Sequence, residues 1–176
     1  MEPDNNELNW YALYVQPRKE KIVEIELQKR GYKVFLPMKK EIRQWKDRKK
    51  MVEIPLVPSY IFPCIKHKDI WDIVRINGCV KFIFFENKPA IIPYCQIESL
   101  QTLVNNEVEI EVERTNGFAK GQRVMIKEGR FAGVTGVIKH GGVRNNFSVI
   151  VDSLGMGFSF SIDKDNLDSV ENYVLK

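Results

Sequence analysis

The stretch Pro55-Leu-Val-Pro-Ser-Tyr-Ile-Phe62 constrains this chain more than any other. Proline has no amide hydrogen to give to a sheet ladder. Pro55 and Pro58 therefore mark the approach to a strand that starts near Ser59. Alternation along that strand puts Tyr60 and Phe62 on one side and Ile61 on the other. Two large aromatics on one face are either core or, if nothing covers them, an apolar docking surface. The sequence leaves both readings open.

Around this strand the pattern reads as alternating strands and helices. Trp10-Tyr-Ala-Leu-Tyr-Val15 is aromatic and β-branched, a strand stopped by Pro17. Arg18 to Arg30 carries Ile22, Val23, Ile25 and Leu27 at helical spacing, and Gly31 sits where a helix C′ residue belongs. Tyr32 to Leu36 reads as a second strand. Residues 39–54 read as a charged hairpin with Ile42, Trp45, Met51, Val52 and Ile54 as its apolar members and Lys46-Asp-Arg-Lys-Lys50 as its tip. After the opening strand come a short helix over Asp69–Ile76 and a dense apolar strand over Val80–Phe85. A further piece covers Ala90–Ile92, and a helix entered at Pro93 carries Ile97, Leu100, Leu103 and Val104. This order predicts an α+β fold, an antiparallel sheet flanked by helices.

The character changes at Asn105. Glu107 to Glu113 alternates strictly between acid and aliphatic, as an edge strand or an extended linker would; residues 107–117 are taken as an acidic linker. Eight of the eleven glycines lie after Gly117, and short strand-like pieces fall between them. These are Arg123–Lys127, Gly133–Lys139, Phe147–Val151, Gly157–Ile162 and Leu167–Val170. Short strands joined by glycine turns predict a small all-β barrel. The division is residues 8–106, a linker 107–117, and a barrel domain 118–176.

Charge is unevenly spread. Residues 16–50 hold thirteen Lys and Arg against five Asp and Glu, while residues 1–15 and 51–117 each sum to −3. A basic block between acidic flanks fits a polyanion-facing patch. It equally fits a solvated helix face with a charged hairpin tip. Other chemistry is poorly supported. Cys64, Cys79 and Cys95 are three, widely spaced and without a C-x-x-C pair, which suits a reducing cytoplasm. His67 and His140 make no zinc-ligand spacing. No apolar run is long enough to cross a membrane, and residues 1–9 lack the apolar core of a signal peptide. No phosphate-binding loop, nucleophile elbow or zincin motif occurs. A Cys64–His67 dyad lacks an orienting partner. Neither an enzyme nor a cofactor or metal is expected.

Two segments carry a family resemblance. Lys120-Gly-Gln-Arg-Val-Met-Ile-Lys-Glu-Gly-Arg-Phe-Ala-Gly-Val-Thr-Gly-Val-Ile138 resembles the KOW motif, with Gly121, Val124, Gly129, Phe131, Gly133 and Gly136 at its defining positions. Gly129 and Gly133 permit the tight turn, and Val124, Ile126, Val134 and Val137 are candidates for the barrel lining. The first hundred residues resemble the N-terminal (NGN) domain of NusG-type transcription factors. The signs are Trp10-Tyr11 opening a strand, Tyr14 four residues on from Trp10, a basic helix, a charged hairpin, then Pro-x-x-Pro-x-Tyr-x-Phe. Val80-Lys-Phe-Ile-Phe-Phe followed by Lys-Pro-Ala-Ile-Ile-Pro93 is closer to the specialised RfaH and UpxY paralogues.

The resemblance implies an NGN-like domain followed by an SH3-like KOW barrel. It implies a monomeric, cytoplasmic elongation and antitermination factor serving surface or capsular polysaccharide operons. Its N-terminal domain would dock on the clamp helices of the RNA polymerase largest subunit, lining that surface with Tyr14, Tyr60 and Phe62. Ile70 and Trp71 would approach the other side of the cleft, and Arg18, Lys19 and Lys21 the non-template DNA strand. The KOW domain would recruit a ribosomal protein or termination factor Rho. The glycines argue against an all-helical state for residues 118–176, since each costs about 1 kcal/mol in a helix interior. The competing reading is an RNA-binding or ribosome-associated module using Arg123, Lys127, Arg130, Lys139 and Arg144, although residues 118–176 sum only to +2.

Overall fold

Strand β6 (Tyr60–Lys66) is the spine of the first sheet. Strands β1 (Leu8–Tyr11) and β2 (Leu13–Val15) run antiparallel along one side of it, and β3 (Lys33–Phe35) along the other. The structure is a computed structural model, which describes residues 7–45, 47–85, 87–106, 110–114, 122–126, 134–139, 145–151, 156–162 and 167–169. It divides into two compact units, Met1–Tyr94 and Cys95–Lys176.

In the first unit the expected strand Trp10–Val15 is interrupted at Ala12, between β1 and β2. The register against β6 is the same on both sides of the gap, with Trp10 opposite Cys64 and Leu13 opposite Ile61. The same register puts Ala12 across from Phe62 and Tyr11, the last residue of β1, across from Pro63, which has no N–H to give to the ladder. The expected strand Val80–Phe85 also divides. β7 (Cys79–Phe82) pairs with β2, whereas β8 (Phe84–Phe85) turns back on β9 (Lys88–Pro89). The Ile83 amide donates to the Ala12 carbonyl at 2.9 Å, and the Ala90 amide to the Ile83 carbonyl at 2.9 Å. These two bonds let the chain leave the sheet as a small hairpin and return as β10 (Ile91–Ile92) beside β1.

Helix α1 (Glu20–Lys29) starts two residues after Arg18, which takes φ 68°, and buries Val23 and Leu27 one turn apart. It ends on Gly31 at φ 85°. The Gly31 amide bonds the Gln28 carbonyl at 2.9 Å, and the Tyr32 amide bonds that of Leu27 at 3.1 Å. This is the paired closure that a left-handed C′ glycine allows. A 3-10 turn, His67–Asp69, leads into α2 (Ile70–Val74), which buries Ile70 and Ile73. Both helices contribute to one core with Tyr11, Leu13, Ile61, Ile65 and Phe82. Strands β4 (Met38–Gln44) and β5 (Lys49–Pro55) form the expected charged hairpin, a two-stranded sheet of their own.

Helix α3 (Tyr94–Asn105), all but its first residue in the second unit, buries Ile97, Leu100 and Leu103 at the expected spacing. Six antiparallel strands follow in the order β11-β15-β14-β13-β12-β16. They are β11 (Glu111–Arg114), β12 (Gln122–Ile126), β13 (Thr135–Lys139), β14 (Asn145–Val151), β15 (Met156–Ile162) and β16 (Leu167–Ser169). Five of these match the strand-like pieces between the glycines. The sixth corrects the linker reading of 107–117: Glu111–Arg114 pairs with β15 as an edge strand, Val112 opposite Phe158.

Candidate functional site

The turn before β6 fixes the geometry of the aromatic surface. Ser59 takes φ 67°, a conformation that costs a side-chain-bearing residue about 1–2 kcal/mol. Two bonds hold it there. Its amide donates to Glu20 Oε1 at 2.9 Å, and its carbonyl accepts from the Val15 amide at 2.8 Å. Glu20 is buried in the first turn of α1, where the helix dipole favours a carboxylate. Helix α1, the end of β2 and the start of β6 are thereby locked together.

Tyr14 and Tyr60 sit directly opposite each other on β2 and β6. Their rings meet edge to face, centroids 5.3 Å apart at 68°. Both are half-buried, so each shows part of its ring to solvent. Lys81 on β7 lies opposite Tyr14 and is exposed, so a cation borders the pair on the same face. No pattern in the sequence singled out Lys81, because its place depends on a long-range register.

Phe62 is a correction. It shares a face with Tyr60, as alternation requires, but it is wholly buried, with its ring 6.1 Å from that of Phe35 on β3. A partner can touch Tyr60 and cannot touch Phe62. Ile70 is a second correction: it is 2% exposed, in the core, whereas its neighbour Trp71 is 65% exposed. Consecutive helical residues point about 100° apart, so one faces the sheet and the other solvent. Trp10 and Tyr11 are both buried.

Of the basic residues before and within α1, Arg18 and Lys21 are exposed and Lys19 is half-buried. Lys21 Nζ lies 3.7 Å from Glu53 of β5. Gly121, Gly129, Phe131 and Gly133 lie outside the described residues, as does Lys46 of the hairpin tip. Val124 and Gly136 are opposite each other on β12 and β13. Ile126, Val134 and Val137 are buried.

Catalytic chemistry finds no support in the thiols. Burial pushes the Cys64 thiol up, with Lys33 pulling weakly the other way, and Cys79 is pushed up to about 11 by burial. Thiols shifted in that direction are poor nucleophiles. Among the described residues no three His, Cys, Asp or Glu gather as a metal site, and no helix is long and apolar enough to cross a membrane.

The first unit thus carries a half-buried aromatic pair, Tyr14 and Tyr60, on its antiparallel sheet, and basic residues at the start of α1. Residues 8–101 match the family model described as transcription termination factor nusG. The chain therefore belongs to the NusG family of transcription factors. Among solved structures it is similar to Thermotoga maritima NusG, described as showing domain interaction, at 18% identity with a TM-score of 0.50, covering 96% of this chain and 100% of that one. It also matches the MjSpt4:Spt5 complex at 13% identity and a TM-score of 0.31, covering 93% of this chain and 97% of that one. No curated protein matches the chain.

Proposed function

We propose that this chain is an elongation and antitermination factor that docks on the clamp helices of the RNA polymerase largest subunit and suppresses pausing and termination. The observation that carries the reading is the half-exposed Tyr14–Tyr60 pair on a rigid frame. Aromatic groups of this kind are the usual anchors of a protein interface. Phe62 acts beneath it as support, and Trp71 is the exposed contact of α2, held by the buried Ile70. Arg18, Lys19 and Lys21 face the non-template DNA strand. Residues 8–106 form the docking domain. Residues 118–176 form an SH3-like KOW barrel that recruits a ribosomal protein or Rho. The likeness of the 80–93 segment to RfaH and UpxY paralogues supports action as a monomer on surface-polysaccharide operons.

The test is capture of core polymerase by the immobilised full chain. Tyr14→Ala with Tyr60→Ala should weaken capture by roughly thirtyfold, as loss of about 2 kcal/mol at an interface anchor would. Unchanged capture by a folded double variant would refute the assigned surface.

A further inference from the structure

The β4–β5 hairpin carries a second set of features that the docking surface does not use. Residues 38–55 hold seven Lys and Arg against three Asp and Glu. The register sets Arg43 directly opposite Lys50. Like charges facing each other across a ladder disfavour the pairing, so this arrangement does not serve the hairpin's own stability. Glu41 offsets it in part, accepting from Arg43 Nε at 3.2 Å.

Beside this pair stands Trp45, 57% exposed, with Lys50 Nζ 5.9 Å from its ring centroid. Its backbone is held at both ends. The Trp45 amide donates to the Arg48 carbonyl at 2.9 Å, and the Gln44 side-chain amide donates to the Trp45 carbonyl at 3.0 Å. The indole is thus presented on fixed backbone among cations. Ile42 and Met51, also exposed, face the other side of the hairpin.

A presented aromatic ring flanked by cations suits an unpaired nucleotide, whose base stacks on the ring while its phosphates meet the cations. A duplex keeps its base faces stacked inside and offers the ring nothing. The Lys21–Glu53 contact joins the hairpin, at the Lys40–Glu53 pair, to the start of α1, which carries Arg18, Lys19 and Lys21. We infer that the hairpin tip binds single-stranded DNA, with one base on Trp45 and the adjoining phosphates on Arg43 and Lys50. The choice of DNA rests on the proposed reading of the α1 start.

The experiment measures anisotropy of labelled oligo-dT, oligo-U and a DNA duplex with the full chain over a salt series, without polymerase. Oligo-dT should bind more tightly than the other two. Trp45→Ala should weaken it at least about fivefold, the lower end of one lost base stack. Trp45→Phe, which keeps an aromatic face, should restore most of the binding. Arg43→Gln with Lys50→Gln, its fold checked by circular dichroism, should lower the salt slope by roughly 1.4, about 0.7 per phosphate contact. Equal binding by Trp45→Ala, or preference for duplex or for RNA, overturns the inference. So does a Trp45→Ala protein that loses polymerase capture yet keeps oligo-dT, because the tip would then be a protein contact. Normal capture with Trp45-independent oligo-dT binding sinks this inference alone, whereas lost capture by the wild-type chain with Trp45-dependent binding sinks the polymerase reading alone.

Discussion

Replacing Phe62 with alanine separates support from contact. Its ring is wholly buried and pairs with Phe35 at 6.1 Å. Removing a buried phenyl group costs about 3–5 kcal/mol, since the contacts are lost and the walls close only in part. A small domain has about 5–15 kcal/mol in total. For a unit of about a hundred residues, each kcal/mol moves the midpoint roughly 4–8 °C, so Phe62→Ala should lower it by about 12–40 °C. Tyr60→Ala removes a half-exposed ring and one edge-to-face pair, on the order of 1 kcal/mol beyond its modest burial. The assay is thermal unfolding of the full chain followed by near-UV circular dichroism, run beside polymerase capture. Tyr60→Ala should keep the fold and lose capture; Phe62→Ala should lose capture only as it loses the fold. A Phe62→Ala protein melting within about 5 °C of the parent while failing to capture polymerase would refute this division of roles.

Two further outcomes follow from the same frame. Gly78 takes φ 98°, and a Cβ there would stand 2.8 Å from Val23 Cγ2 and 3.4 Å from Lys19 Cβ, whereas Gly31 at φ 85° has open space around it. Gly78→Ala should therefore be more destabilising than Gly31→Ala, which meets only the backbone penalty of about 1–2 kcal/mol; equal urea midpoints would contradict the packing of β7's entry turn on α1. The Cys79 thiol, pushed up to about 11 by burial, holds its proton more tightly folded than unfolded. Its contribution to stability is present below the ordinary thiol range and is lost as pH rises from there toward 11. At pH 8 iodoacetamide should label Cys79 far more slowly in the folded protein than in denaturant, and similar rates would show the thiol to be unburied.

Much of the fold was legible because it is local. Proline placement set the start of β6, helical spacing revealed Val23 and Leu27, and glycine spacing separated the strands of the second unit. The candidate site was legible only in part. Tyr60 and Phe62 have the same residue class, face and strand, and nothing near them in sequence says which is covered. Ile70 and Trp71 differ by one position, and the side on which the sheet lies decides which is core. The split of the Val80–Phe85 segment depends on Ala12, some seventy residues earlier in the chain.

Sequence alone determined the main kinds of element, their order and the basic block, because periodicity and backbone chemistry act over a few residues. Tertiary structure decided that Phe62 and Ile70 are core, that Tyr14 meets Tyr60 beside Lys81, and that Trp45 and Trp71 stand in solvent. Burial is a property of what lies across the gap, and that neighbour comes from a distant part of the chain.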